Sequence, residues 1–598
     1  MGLLVGGWLA GLDQAVLRLL APLSLALLAS GLDDLLVDFL WACGWLKDKL
    51  QPKARLFPPG ERQLASAPRR RIAILIPLWQ EQQVIEKMLE HNLAAMRYDG
   101  YHIFAGIYPN DPETQQAVRR VAERFPHVHP APCPHDGPTS KADCLNWAFQ
   151  HLLIEEELRG ERFDIVVIHD AEDLIHPEEL RWMNYYSARF DFIQIPVLPL
   201  ATPFWSLTHG LYCDEFAEHH TRDMRVRPRW GGFVPGAGVG TAFRREALEK
   251  LALESQNRIF DPEALTEDYA NGLRMFRLGC RQAFIPLSRV GVRGEFMATR
   301  EYFPPTWRAA LRQRSRWITG IALQGWRQFG WRGAPREVYW LWRDRKGLIG
   351  NPLNLVSNLV FCYGLATAIW TRVTPTAARL ALATLVLQIV RFAIRMGCSG
   401  RIYGWAFALG VPLRALNGNL LNSAAACRAL VVYTLARLRG ERLGWLKTDH
   451  AYPTRAALLE HKRRLGEILV GSGILSPAAL AVALETLPPT TRLGEHLVKT
   501  GRLSPDEVYD ALSFQQGLPR ARIEPQDVLP QVAHALPTHM AREWKVLPFQ
   551  VAEGSLFLAG PEIPSAEMDR ALKDFTKLEL RFHLVTPEEF EALASALL

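Results

Sequence analysis

Residues 163–177 read FDIVVIHDAEDLIHP, an uncharged Ile/Val run that stops at three carboxylates, Asp170, Glu172 and Asp173. A run of that kind is a strand buried on both faces, which is the habit of parallel sheets covered by helices. In such sheets ligands gather beyond the C-terminal strand ends. The carboxylates therefore stand where a ligand would be. Two uses suit them. Acids complement the positive start of a helix, and oxygen ligands of this kind hold Mg²⁺ or Mn²⁺ against a diphosphate. Taken alone, the segment does not choose between them.

Working outward, the pattern repeats. RIAILIPL (71–78) is another buried strand, and 81–96 carries a helical stripe at Val84, Leu89 and Leu93. HIFAGIYP (102–109) follows and ends at Asn110–Asp111. Strands alternating with helices predict an α/β domain with a parallel sheet. They place Gln80, Glu81, Asp111 and Asp170 at strand ends. Further along, GGFVPGAGVGTAFRR (231–245) is dense enough in glycine to bring backbone close to a bound molecule. It lacks the arrangement of a P-loop and lies too late for a first-turn dinucleotide loop. LTED (265–268) adds an acidic pair, and QRSRW (313–317) a cationic and aromatic one. Glycines, carboxylates and arginines together suit a nucleotide-sugar donor and a hydroxyl acceptor.

The 598 residues are enough for several domains. A composition 48% hydrophobic and 22% charged excludes wholesale disorder. A mean hydropathy of -0.03 excludes a chain that is membrane from end to end. The net charge of +7 is small for this length and calls for no nucleic-acid partner. Its distribution says more: residues 301–350 hold ten Lys or Arg against three acids, just before nineteen uncharged residues at 352–370. That stretch spans about 28 Å as a helix, the thickness of a bilayer core. With 376–395 it reads as a membrane hairpin, a buried soluble hairpin being the alternative. Residues 19–46 read as one more span, whose Asp33, Asp34 and Asp38 must face other helices or a polar path. In 402–437 two weaker apolar stretches flank Arg414, forming either a short hairpin or an amphipathic pair at the interface. Either way the chain returns to the side it left, so 50–350 and the tail share the cytoplasm. Eight cysteines without a CxxC indicate a reducing compartment. His127, His129, Cys133 and His135 have zinc-like spacing, but Pro126, Pro130, Pro132 and Pro134 interleave with them and favour an extended loop.

The tail repeats itself. RLGEILVGSGILSPAALAVALETL (464–487) aligns without gaps to RLGEHLVKTGRLSPDEVYDALSFQ (492–515), a period of 28 residues. Ser476 and Ser504, each followed by Pro, are helix N-caps. Each unit is a short helix, a glycine turn and a second helix, which pair to build one small core.

The motifs PLWQE (77–81), SKADCLN around Lys141, DAED, TED and QRSRW resemble, in order, those of the processive family 2 inverting glycosyltransferases, whose fold is GT-A. Among these the chain is similar to the bacterial inner-membrane type used in phage adsorption, which joins the transferase to a cyclic-di-GMP-binding tail. Gln80 departs from a common Asn, and Glu172 stands where a second Asp is usual. The resemblance implies a UDP-sugar donor, a UDP-N-acetylhexosamine among the candidates, with Mg²⁺ or Mn²⁺ at Asp170 and Glu172 or Asp173. Donor contacts would come from Glu81, Asp111, Lys141, Asp170 and Arg316, and acceptor contacts from Gln313 and Trp317. Asp268 would be the general base, with Glu267 beside it. The tandem units resemble the N-terminal domain of secretion and pilus ATPases, implying cyclic di-GMP as an allosteric activator bound at Arg464, Leu465, Gly466, Arg492, Leu493, Gly494 and Gln515. The second repeat keeps Gln515 where the first has Leu487.

The expected organisation is thus a transmembrane segment (1–49), a cytoplasmic α/β transferase domain (50–350) and membrane and interfacial helices (351–440). A mostly helical repeat subdomain (441–515) and an α/β subdomain (516–598) follow. The expected role is transfer of sugar to a polysaccharide or lipid-linked acceptor at the inner membrane, with room for an outer-membrane export partner. The alternative is a membrane adaptor in phage adsorption whose transferase site is vestigial.

Overall fold

The computed structural model describes residues 2–50, 58–255, 259–290, 295–367 and 369–440, and from 465 onward all but 467–468, 470–473, 489–490, 517, 519, 522 and 553. Helix α1 (Gly2–Leu50) comes first. Eight strands follow: β1 (Ile72–Pro77), β2 (Tyr101–Ile107), β3 (Val128–Pro132), β4 (Ile165–Ile168), β5 (Phe192–Gln194), β6 (Val197–Pro199), β7 (Thr241–Arg244) and β8 (Gln282–Phe284). All but β6 form one seven-stranded sheet, in the order β3-β2-β1-β4-β7-β5-β8. Alternate residues of each strand feed two cores. Ile72, Ile74 and Ile76 pack on one face with Leu89, Val118 and Val121. Ala73, Leu75 and Val166 pack on the other with Leu145, Phe149 and Leu152. These last three come from a helix that covers that face, just as the uncharged strands require.

The sheet is mixed rather than wholly parallel. Strands β3, β2, β1 and β4 run parallel, but β7 lies antiparallel to both β4 and β5. The glycine segment has already carried the chain to the C-terminal edge of the sheet, so β7 must run back down. Strand β9 (Thr299–Glu301) pairs with β6, and its Arg300 exchanges backbone hydrogen bonds of 2.8 and 3.1 Å with Leu174. The carboxylate turn after β4 is thereby held on one side by β9. Pro130 and Pro132 fall on β3, an edge strand, where a missing N–H is tolerated, and Pro126 and Pro134 flank it.

The helices that matter for the site are α2 (Pro112–Arg124), α3 (Lys141–Arg159), α4 (Leu207–Glu218), α5 (Glu267–Arg277) and α6 (Trp307–Ile318). Behind them come α7 (Gly347–Thr367), α8 (Pro375–Tyr403) and α9 (Val411–Arg439). Among the described residues, three helices are long and apolar enough to cross a membrane: Ala10–Leu50, Gly347–Thr367 and Pro375–Tyr403. The chain is a multi-pass membrane protein. The acids of α1 find cationic partners, as their cost in an apolar layer demands. Asp33 accepts from Lys346 (2.5 Å), Tyr339 (2.6 Å) and Arg343; Asp34 pairs with Arg343 at 2.8 Å, and Asp38 with Arg222 at 2.7 Å.

One expectation fails at Arg414. The break between helices falls earlier, at Leu409–Gly410 after the short helix Trp405–Ala408, and Arg414 lies inside the first turn of α9. The guanidinium is fully buried, bound to Asp214 of α4 at 2.6 Å, donating to Phe407 O at 2.8 Å and lying over the Phe407 ring. A charge turned inward onto a partner leaves the outer face of α9 apolar, so the break visible in composition is not a break in the helix.

The tail contains α10 (Pro477–Glu485), α11 (Leu493–Lys499) and α12 (Pro505–Gln516), then a three-stranded sheet of β10 (Leu547–Ala552), β11 (Ser555–Gly560) and β12 (Glu579–Leu584). The 28-residue period reappears in its core, where Leu469, Leu475 and Ala483 match Leu497, Leu503 and Ala511. Ser476 Oγ accepts from Ala479 N–H, and Ser504 Oγ accepts from Glu507 N–H, so both N-caps form.

Candidate active site

The DAED, TED and QRSRW segments and Lys141 converge on one cleft of about 410 Å³ at the C-terminal edge of the sheet. Glu81, Lys141, Asp170, Glu172, Glu267 and Arg316 line it. Lys141 is the hub. Its Nζ lies 2.6 Å from Asp170 Oδ1 and donates to Gly238 O at 3.0 Å. Burial alone would lower its pKa, but Asp170, Glu267 and Asp268 outweigh that and hold the ammonium above its usual range. Lys141 opens α3, where Ser140 Oγ caps the helix by accepting from Asp143 N–H. The purpose of the glycine segment is visible here. A Cβ at Gly238 (φ +80°) would come within 3.2 Å of both Asp268 Oδ2 and Lys141 Nζ, and one at Gly236 within 2.8 Å of Asp268 O. Only bare backbone can pass between these side chains.

Asp268 and Glu267 start α5 and are buried together. Burial, then Asp268, push Glu267 up to about 7; burial also raises Asp268, with Lys141 and Arg316 pulling the other way. Helix α6 holds this loop by two side chains: Arg316 donates to Leu265 O at 2.9 Å, and Gln324, in the π-helical turn after it, accepts from Leu265 N–H at 3.0 Å. Gly320 lets α6 close onto the loop, since a Cβ there would sit 2.4 Å from Thr266 Oγ1.

The five residues of QRSRW divide by helical direction. Arg316 faces the cleft, while Arg314 is buried against Glu215 (2.8 Å) and Asn422 of α9 (2.6 Å). Ser315 Oγ donates to Ala425 O of the same helix. Trp317 is half-buried in an aromatic nest with Tyr212, Phe216 and Phe303, and Gln313 is half-buried on the same helix. The motif thus ties the cleft to the membrane helices as well as lining it.

The carboxylates after β4 separate sharply. Asp170 and Glu172 line the cleft, and burial, then Asp170, Asp173 and Glu81, raise Glu172 to about 7. Asp173 does not belong with them. It is fully buried, its Oδ2 accepting from Asp170 N–H and sharing a 2.9 Å hydrogen bond with His169. His169 lies between Asp173 and Glu179 (3.2 Å), whose charges outweigh its burial and raise it to about 10. Asp173 therefore shapes the turn from behind instead of facing a metal. Among the described residues no group of three or more His, Cys, Asp or Glu forms a metal cage. The two remaining acids still fit Mg²⁺ or Mn²⁺, because such ions are commonly held by one or two carboxylates together with substrate phosphates. The zinc-like group does not assemble either: His129 turns to His102 (2.8 Å), and Cys133 Sγ lies 3.9 Å from Cys144 Sγ.

Asp111 stands one layer back. It caps α2 through Thr114 N–H and accepts from Gln80 N–H at 2.5 Å, so it braces the first motif. Burial, then Asp170 and Asp111, raise Glu81. Two features escaped the sequence reading. Trp79 and Tyr108, edge to face at 5.5 Å, form an aromatic wall of the cleft. Glu301 of β9 is raised by burial and by Asp173, Asp170 and Glu172, which it faces. The aromatic beside PLWQE was a usable signal for the first; a lone Glu between motifs gave none for the second.

In the tail, Gly466 and Gly494 are contact points between helices. A Cβ on Gly466 would meet Leu480 at 2.8 Å, and one on Gly494 would meet Val508 at 2.7 Å, the same offset in each repeat. Leu465 and Leu493 pack against the repeat core, Arg492 is exposed at the start of α11, and Gln515 lies in α12. Arg464 lies outside the described residues.

Residues 68–320 match the family described as glycosyltransferase like family 2, and residues 516–598 match the MshEN domain. Two solved structures resemble parts of the chain. One is MshE with cdg (26% identity, 23% of this chain and 99% of that one, TM-score 0.21). The other is a mannosyltransferase from Pyrobaculum calidifontis in complex with GDP-Man and Mn²⁺ (17%, 66% and 99%, TM-score 0.40). Bacteriophage adsorption protein B of Escherichia coli (strain K12) is 34% identical over 582 residues, 93% of this chain and 77% of that protein. An adsorption protein B from Escherichia coli O157:H7 matches to the same extent. The chain belongs to the family of bacteriophage adsorption protein B.

Proposed function

We propose that the chain is an inner-membrane, inverting glycosyltransferase that moves a sugar from a UDP-sugar to a growing polysaccharide or lipid-linked acceptor. The observation that carries this reading is the meeting of Lys141, Asp170, Glu172, Glu267 and Arg316 around one cleft, with Asp268 buried just behind it against the bare backbone of Gly236 and Gly238. Trp79 and Tyr108 would flank the uracil, and Arg316 with Lys141 would face the diphosphate. Asp170 and Glu172 would hold Mg²⁺ or Mn²⁺, which when bound neutralises charge on the departing diphosphate. Asp268 takes the proton of the acceptor hydroxyl as that oxygen attacks the anomeric carbon; burial raises its affinity for protons, which suits a general base. Trp317 and its aromatic nest would receive the acceptor sugar. The MshEN match at 516–598 supports cyclic di-GMP as the activating ligand of the tail; Arg464 and Arg492, in the repeats that precede the matched segment, are the contacts implied by the resemblance of those repeats. The tail packs on the transferase domain, which supports one cytoplasmic side for both.

A second reading has the relatives' name on its side. A membrane component of phage adsorption, controlled by cyclic di-GMP and with an unused transferase cleft, agrees with 34% identity to adsorption protein B, a name that speaks for adsorption rather than transfer. The two part company in one assay. Full-length protein in detergent or nanodiscs, given UDP-sugars with Mg²⁺ or Mn²⁺ and cyclic di-GMP, should release UDP under the first reading. No release with any donor establishes the second.

A further inference from the structure

A second, larger cavity of about 970 Å³ lies where the α/β part of the tail meets α2 and β3 of the transferase domain. Residues 133–140, which join β3 to α3, run between this cavity and the cleft. Cys133 and Pro134 line the cavity, while Pro138, Thr139 and Ser140 line the cleft. At one point the two hollows are separated by Cys133 and Cys144, whose sulfurs lie 3.9 Å apart. A connection with open space on both sides has little packing to fix it, so hydrogen bonds must do so.

Asn110, just past the end of β2, supplies the main tie. Its Nδ2 donates to Gly137 O at 2.7 Å, and its Oδ1 accepts from Gly137 N–H at 2.8 Å. A side-chain amide paired in this way with one residue's N–H and C=O fixes the direction of the backbone as well as its place. Glycine is required at the clamped position. A Cβ on Gly137 would lie 2.6 Å from the Trp79 ring and 2.8 Å from the Tyr108 ring. The clamp thus presses bare backbone against the two aromatics of the cleft wall. A second tie backs it: the Tyr108 hydroxyl lies 2.5 Å from Thr139 Oγ1. Gln115 of α2 in turn donates to Tyr108 O at 2.7 Å and to Pro109 O at 3.1 Å, steadying the segment that carries Asn110. Asn110 itself is exposed and belongs to no core, so its hydrogen bonds shape this connection and not the fold.

We propose that Asn110 is a positioning residue for the donor: its clamp on Gly137 holds residues 137–140 where Trp79, Tyr108 and Thr139 receive the nucleoside. The proposal rests on the reading of the cleft as a nucleotide-sugar site and adds a residue that acts without touching the ligand. A base stacks on an aromatic face only where that face is kept in place. Without the clamp the wall is assembled part of the time, and apparent affinity falls by that fraction. Two hydrogen bonds of this kind correspond to about five- to thirtyfold in nucleotide affinity.

Full-length protein in nanodiscs, with Mg²⁺ and cyclic di-GMP present, is titrated with radiolabelled UDP and with UMP. Wild type is compared with Asn110→Ala, Asn110→Asp and Lys141→Ala, and hydrogen exchange is followed over the transferase domain. Asn110→Asp keeps the acceptor for Gly137 N–H and loses the donor to Gly137 O. The expected result is that Asn110→Ala weakens UDP and UMP by the same factor, because both share the base wall, and that Asn110→Asp falls between it and wild type. Lys141→Ala should weaken UDP more than UMP. Exchange in Asn110→Ala should quicken over 133–140 alone. Wild-type binding of neither nucleotide removes the nucleotide-sugar reading, and the proposal with it. If wild type binds both and Asn110→Ala binds them equally well, the proposal alone is overturned. It is also overturned if Asn110→Ala follows the Lys141→Ala pattern, or if its exchange quickens throughout the domain, which is a general loss of structure.

Discussion

The cleft at the sheet edge and the cavity under the tail lie back to back, yet they are built on opposite charge plans. The cleft gathers four carboxylates, Glu81, Asp170, Glu172 and Glu267, around Lys141 and Arg316. The cavity has none, and opposes arginines from two parts of the chain. In the cleft the acids face Lys141 and Arg316 across the opening, whereas the arginines of the cavity are met from outside its lining, Arg520 by Asp506 and Arg581 by Glu579 at 3.5 Å. The difference separates a cleft whose charges meet inside it from a junction whose charges are balanced around its rim.

The largest effect expected from disturbing this contrast lies on the cleft side. Asp268→Asn removes the base while keeping the shape of the turn, and should lower sugar transfer by about 10²–10⁴-fold. UDP affinity should stay within about twofold, since Asp268 does not line the donor cleft. Steady-state kinetics with a parallel UDP-binding assay check both. Unchanged turnover would remove Asp268 from its role.

Lys141→Ala comes next. The loss of one charge-assisted hydrogen bond from Lys141 to the donor diphosphate is worth roughly 1.5–3 kcal/mol, or about ten- to a hundredfold in donor affinity. The pH profile gives an independent check. Burial raises Glu267 to about 7 and raises Asp268 as well, so transfer should climb with pH through that region as the pair loses its proton. Lys141 opposes the rise in both groups, so its removal should move the climbing limb to higher pH. A limb that stayed in place or moved down would separate Lys141 from the base.

Most of the cleft was legible in the sequence because it is written at strand ends. RIAILIPL, HIFAGIYP and FDIVVIHD announce buried strands, and the polar residues that stop them fall where the sheet presents ligands. The fold class followed from the same runs, but the reversal of β7 did not, since a four-residue strand carries no direction in its composition. Asp173 was misread as a metal candidate because spacing alone cannot tell a carboxylate facing a cleft from one facing a buried His169. Arg414 misled for the same reason in a helix: its partner, Asp214, is 200 residues away. The cavity was illegible altogether. Arg119 and Arg581 share no motif and meet only because the tail folds back onto α2.

The smallest effect concerns the junction of the two regions, where α2 braces the first motif. Gln80 adopts φ 56°, the left-handed region, while its N–H is held by Asp111. Non-glycine residues resist that conformation, but Asn tolerates it better than Gln because its short side chain bonds to nearby backbone. Gln80→Asn should therefore stabilise the transferase domain by less than about 1 kcal/mol, with donor affinity unchanged. Thermal unfolding of the full chain in detergent measures it. A loss of stability would mean that the Gln80 side chain, not its backbone, is what the cleft uses.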